Sequence, residues 1–315
     1  MCGKNKTKVT EFHLLGFCNL NNFRILFFIV LLVIYTVIVV GNLLIILLVS
    51  FIDHLQIPMF YFLKHLAVAD LLLTTTVVPF MLDIILKEGA VISVIVCLFQ
   101  LFCFGIFVTI PCSLLAVMSY DRYLAICNPL HYTFLMNPKR CVQLIFVSWS
   151  SVVIVVSIEM VSISQFEFCG LNTIDHFVCD LHPIVELSSS DTSVFIMEDF
   201  IFSIIIVLCP FAFIIMTYIY IFIIIVNISS STGRKKVFST CSSHLTTVCT
   251  YYGTLITVYI IPSDNSHSDV NLYLSLLYFV VTPFMNPIIY SLKNPEIKRA
   301  MKKVVKRTRI IMRGQ

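Results

Sequence analysis

Charge is scarce in this 315-residue chain: 12% of its residues are Asp, Glu, Lys or Arg, against 59% hydrophobic residues and a mean hydropathy of +0.97. That scarcity excludes an ordinary soluble protein, because one or two cores could not hide so much apolar surface, and it excludes disorder. The net charge of +4 is small, and the basic residues gather toward one end instead of interleaving with aromatics, so no nucleic-acid partner is expected. Catalytic signatures are lacking too. There is no His-Glu-x-x-His pair, no Gly-x-Ser-x-Gly elbow and no Gly-rich phosphate loop, and neither an enzyme nor a cofactor or metal is expected. Residues 1–24 are polar and mixed, without the apolar run of a cleavable signal peptide. Repeat symmetry, paired broken helices and pore-lining charges are also missing, which argues against a transporter or channel.

What the chain has is long apolar runs. A bilayer core of about 30 Å needs roughly 20 apolar residues as a helix, and seven runs satisfy this: 25–50, 58–86, 97–120, 141–164, 197–226, 237–262 and 272–292. The expected fold is an all-α membrane protein, a seven-helix bundle over 25–292 with tails at 1–24 and 293–315. The sixth run is weakest because it is rich in hydroxyls, and its polar face needs neighbouring helices or a wet interior.

Lys and Arg are retained in cytoplasmic loops near helix ends. Arg122, Lys139, Arg140, Arg234 to Lys236 and nine tail residues from Lys293 to Arg313 fall on one side, fifteen of the 21 basic residues. The opposite loops hold Lys87 and many acids. This predicts an outside N-terminus and a cytoplasmic C-terminus, outvoting Lys4, Lys6, Lys8 and Arg24. The sequon at Asn5 is then an expected glycosylation site, whereas that at Asn227 faces the cytoplasm. Of the 12 cysteines most lie in apolar spans as small hydrophobes, but Cys97, Cys169 and Cys179 fall on the oxidising side. A Cys97–Cys179 bridge would pin the long acidic loop over the bundle's mouth.

Polar groups inside spans are expensive and mark sites or packing contacts. Asn42, Asp70, Asp121 with Arg122, Asn286 and Tyr290 stand out. Asp121-Arg122 can close as a pair or release the guanidinium to another partner, a bistable element. Pro287 removes a backbone hydrogen bond deep in the last span and leaves a carbonyl for water or a side chain to satisfy.

Five strings, EFHLLGF at 11–17, PMFYFL at 58–63, MSYDRYLAIC at 118–127, KVFSTCSSHL at 236–245 and PFMNPIIYSLKN at 283–294, occur in order over nearly the whole chain. In this combination the chain strongly resembles the olfactory receptors among the rhodopsin-like G-protein-coupled receptors. The resemblance implies an odorant-activated receptor of the plasma membrane, in olfactory neuron cilia, that activates a stimulatory, olfactory-type G protein and raises cyclic AMP. It implies that Arg122, within Asp121-Arg122-Tyr123, is held at rest and meets the G protein when active. Tyr218 and Tyr290 would swing inward beside the Asn286-Pro287 hinge, with His244 facing them and Asn42 and Asp70 in a polar network. It supplies ligand candidates Phe104, Val108, Thr109 and Cys112 on helix three, Asp199, Phe202, Ser203 and Ile206 on helix five, and Tyr252, Leu255, Ile256 and Tyr259 on helix six. Such a pocket suits a small, mostly apolar molecule held by one or two hydrogen bonds. Asp199 and Glu159 would alternatively favour an amine.

Two positions depart from the family pattern. Pro111 replaces a common intramembrane glutamate thought to help hold sodium, and would free the carbonyl of Phe107. Ser189 stands where a further loop cysteine is usual, which leaves Cys169 without its expected partner and Cys97–Cys179 as the one expected bridge. The string His176 to Asp180 looks like a metal site, but a disulfide at Cys179 disfavours it. In the tail, Ile297, Met301, Val304 and Val305 interleave with Lys298, Arg299, Lys302, Lys303, Lys306 and Arg307, as expected of a basic amphipathic helix on anionic membrane lipid.

Overall fold

The computed structural model describes residues 7–17, 20–260, 268–294 and 296–303. Seven long helices among these residues are α1 (Arg24–Phe51), α2 (Pro58–Lys87), α3 (Val94–Cys127), α4 (Pro138–Ser164), α5 (Ser193–Asn227), α6 (Ser231–Ile260) and α7 (Ser268–Lys293). Six are long and apolar enough to cross a membrane, and α6 is the exception. Its polarity is neutralised internally. Thr246, Thr247, Thr250, Thr254 and Thr257 each donate to the carbonyl four residues back, so those hydroxyls need no water.

Local chemistry sets the helix ends. Pro58 and Pro138 open α2 and α4, where a missing N–H costs nothing. Ser93 and Asn137 cap α3 and α4 by accepting from Val96 N at 3.3 Å and Arg140 N at 2.9 Å. α5 contains a π turn at Ile204–Leu208, which ends two residues before Pro210. Pro210 cannot donate to the carbonyl of Ile206, and the widened turn lies where that ladder bond is lost. α3 is the central helix, packed against α2, α4, α5 and α6, while α7 packs against α1, α2 and α6.

The N-terminal segment is more than a tail. Glu11–Leu14 forms β1, the middle strand of a three-stranded sheet with β2 (Ala90–Ser93) and β3 (Thr173–Ile174). β1 runs antiparallel to β2, with Glu11 opposite Ser93, and parallel to β3, with Leu14 opposite Ile174. Phe12 and Leu14 point into the protein and Glu11 and His13 out of it, the alternation of a half-buried strand. Gly16 follows at φ 58°, packed so closely on Ile84 that a β-carbon would collide with it. At this same end Arg24 pairs with Glu88 and Lys87 with Asp83, so both basic residues have acidic partners.

After α7, residues 296–303 are helical. Asn294 caps this turn by accepting from Glu296 N at 3.0 Å. Ile297 and Ala300 are buried while Lys298, Arg299, Lys302 and Lys303 are exposed. Asn5 and the tail from Val304 onward lie outside the described residues.

Candidate ligand and signalling site

At the sheet end, a disulfide joins Cys97 at the start of α3 to Cys179 in the long loop, with Cα atoms 5.5 Å apart. Gln100, one turn along, accepts from Cys179 N at 3.2 Å. The loop is thereby fixed to α3 by one covalent and one polar contact. Cys169, expected to lack a partner, is also disulfide-bonded, and its partner lies outside the described residues. Ser189 instead donates its hydroxyl to the Cys169 carbonyl at 3.4 Å.

Phe177 belongs to this loop and is fully buried. Its ring stacks on Phe17 at 5.3 Å and meets Phe279 of α7 edge-on at 5.7 Å, and Phe279 in turn contacts Phe104 of α3 at 5.1 Å. An aromatic chain thus runs from the N-terminal segment to the expected pocket wall. His176 stacks on Phe177 at 4.5 Å, and its Nδ1 accepts from Val178 N at 3.2 Å. Burial holds its imidazole below the usual range, against the opposing pull of Asp180 and Asp175. With Cys179 in a disulfide, the loop string does not assemble a metal site, and no group of three or more His, Cys, Asp or Glu suited to a metal occurs among the described residues.

The pocket candidates divide. Phe104 and Cys112 are buried, and Val108 and Thr109 are partly buried on the same helix. On α5, Ile206 is buried, Phe202 and Asp199 are partly buried, and Ser203 is exposed. On α6, Tyr252 and Leu255 are buried, Ile256 is 46% exposed, and the side chain of Tyr259 lies outside the described residues. Ser203 and Ile256 are thus more exposed than the residues grouped with them. The π turn that follows Ser203 and contains Ile206 breaks the 3.6-residue phase on which that grouping relied. Sequence reasoning missed Phe177, Phe279, Tyr278 and Tyr251; Tyr252 packs on Phe211 of α5 at 4.3 Å, while Tyr251 reaches α3.

Deeper in the bundle, the polar residues meet. Asn286 donates to Asp70 Oδ2 at 2.8 Å. Pro287 has no N–H for the carbonyl of Pro283, and Asn42 Nδ2 takes that carbonyl at 3.2 Å while also holding Ile38 O at 3.0 Å. The side-chain acceptor needed by a proline-broken helix is thus supplied from α1. Gly41 permits the approach, since a β-carbon there would lie 2.9 Å from Pro287 Cβ.

At the far end, Asp121 is fully buried and Arg122 nearly so. Arg122 Nε donates to Asp121 Oδ2 at 2.9 Å, and its Nη2 makes a second contact with the same oxygen. The other oxygen, Oδ1, accepts from Tyr132 Oη at 2.8 Å. Burial, then the Asp121 charge, raises the Tyr132 phenol above its usual range, so it remains a donor. Tyr123 turns aside toward Tyr220, with ring centroids 6.2 Å apart. Tyr218 Oη and His244 Nδ1 are 2.7 Å apart, linking α5 to α6, and Tyr290 is fully buried nearby, within electrostatic reach of Arg122.

A model of the olfactory receptor family matches residues 31–308. The chain is 43% identical to human olfactory receptor 11L1 over 304 residues, 96% of this chain and 94% of the relative. It is 46% identical to mouse olfactory receptor 5P81 over 300 residues, 95% of each, and 38% identical to mouse olfactory receptor 5G9 over 314 residues, 100% of each. Odorant recognition and G-protein coupling are the family's general function, so the molecule is a multi-pass plasma-membrane receptor and not an enzyme. Seven helices, the Cys97–Cys179 bridge and these matches together place the chain in the olfactory receptor family.

Proposed function

We propose that the receptor takes a small, mostly apolar odorant between α3, α5 and α6 and activates a stimulatory G protein, raising cyclic AMP. In this reading the sheet and N-terminus face outward, the basic tail lies on anionic lipid inside, and the cell surface is that of olfactory cilia. One observation carries it: α3 presents Phe104, Val108, Thr109 and Cys112 along one stretch and the closed Asp121–Arg122–Tyr132 cluster at its inner end. A ligand that binds the open arrangement more tightly shifts the population toward it, releasing Arg122 to the G protein. Tyr218, His244 and Tyr290 repack as α6 moves outward.

The test is a cyclic AMP assay in cells carrying the receptor and an olfactory-type G protein, screened against a mixed odorant panel with surface expression measured. A concentration-dependent signal that vanishes in surface-expressed Arg122→Ala supports the reading. Silence across a broad panel despite surface expression counts against it.

A second reading, an amine ligand, draws on one observation: Glu159 of α4 lies within electrostatic reach of Asp199 and Glu198 of α5, with Glu198 accepting from Ser162 at 2.7 Å. An amine response unchanged in both Asp199→Asn and Glu159→Gln would sink it.

A further inference from the structure

Pro111 sits in the middle of α3, where it removes the N–H due to the Phe107 carbonyl. The polar contact from outside the helix falls one residue along. Tyr251 of α6 donates to the Val108 carbonyl at 2.7 Å, and Tyr278 of α7 approaches the same oxygen at 3.4 Å. Tyr251 Oη also lies 3.1 Å from Cys112 Sγ, one turn further along α3. Three helices thus converge on one backbone atom beside the proline. Tyr251 is 2% exposed, so this contact is shielded from bulk water. The adjacent Tyr252 packs its ring on Phe211 of α5 and shares the contact with Cys112.

We propose that Tyr251 is a positioning residue that latches α6 to α3 in the resting receptor. The inference rests on the reading that activation carries α6 away from α3. Separation would take the Tyr251 hydroxyl away from both Val108 O and Cys112 Sγ, a cost carried only by the active state. Removing the hydroxyl abolishes that differential while keeping the ring that fills the space. The active fraction without ligand then rises about five-fold, the population equivalent of one ordinary hydrogen bond.

The experiment measures recruitment of a stimulatory Gα subunit in the absence of odorant, normalised to surface receptor, for the native chain, Tyr251→Phe, and Tyr251→Phe combined with Arg122→Ala. Tyr251→Phe is expected to raise basal recruitment about five-fold, and the double variant to abolish the rise. A merely structural role would lower surface expression and signal together. Basal recruitment at or below the native level in Tyr251→Phe, while the native chain still signals through Arg122, overturns the latch and leaves the proposed function standing. If no form recruits through Arg122, the proposed function fails, and spin labels at positions 127 and 237 of the purified receptor decide the latch separately. A longer distance population enlarged by Tyr251→Phe supports it, and identical distributions overturn it.

Discussion

The two ends of the bundle are held by different kinds of contact. At the outer end, as oriented in the proposed function, a disulfide, a three-stranded sheet and the stack of Phe17, Phe177, Phe279 and Phe104 fix the loop to α3 and α7. At the inner end single polar pairs do the holding: Arg122 on Asp121, Tyr132 on Asp121, and Tyr218 beside His244. Covalent and aromatic contacts define one geometry, whereas one-for-one polar pairs can exchange partners at small net cost. The difference suits a frame that holds a ligand at one end and a switch at the other, with α3 running through both.

The largest effect expected is at the frame. Cys179→Ser removes a bond that closes a long loop, costing roughly 2–5 kcal/mol. Surface expression measured by antibody labelling of intact cells should fall at least about tenfold, and near-native expression would show that the sheet and aromatic stack suffice. Between the two ends lies Asn42, whose loss should cost an intermediate amount. Asn42→Ala strands the Pro283 carbonyl that Pro287 leaves open, about 1–3 kcal/mol. The thermal midpoint of the purified receptor should drop clearly, and an unchanged midpoint would mean that another donor takes its place.

The smallest effect concerns the loop over the mouth. His176 binds its proton less readily in the folded loop than in the unfolded chain. Stability is therefore untouched well above the ordinary imidazole value of about 6.5. It falls as pH drops below that, because the unfolded chain then takes up a proton that the folded loop resists. Acidifying the purified receptor from about pH 7.5 to about 5.5 should lower its thermal midpoint more than that of His176→Asn, by the equivalent of about 1 kcal/mol. Equal shifts would mean that this imidazole has no part in acid sensitivity.

Much of the middle and inner end was legible because polar residues inside apolar spans announce themselves: Asn42, Asp70, Asp121, Arg122 and Asn286 all find partners within the bundle. The seven helices were legible for the same reason, their length being set by the bilayer. At the outer end the Cys97–Cys179 bridge was legible, but the sheet was not. β1 pairs with two separate loops, and only the short alternation of Glu11 to Leu14 hints at it. The fate of Cys169 could not be read from a pattern whose usual partner position holds Ser189. On α6 both Tyr251 and Tyr252 are buried, and only Tyr252 was legible, because threonines bonded to their own backbone spread polarity around the helix and blur its phase. On α5, the π turn at Ile204–Leu208 departs from the ideal helical spacing that grouped Ser203 with Ile206.

The division of labour between the ends is tested most directly by full concentration–response curves for the most active odorant of the mixed panel, comparing Phe104→Ala with Tyr218→Phe at matched surface expression. Phe104→Ala should move the half-maximal concentration about tenfold, the equivalent of 1.4 kcal/mol of binding, with the maximum preserved. Tyr218→Phe should change the ligand-free and maximal signals while the half-maximal concentration moves less than about threefold. The opposite assignment, with Phe104 setting the maximum and Tyr218 the half-maximal concentration, would contradict a frame at one end and a switch at the other.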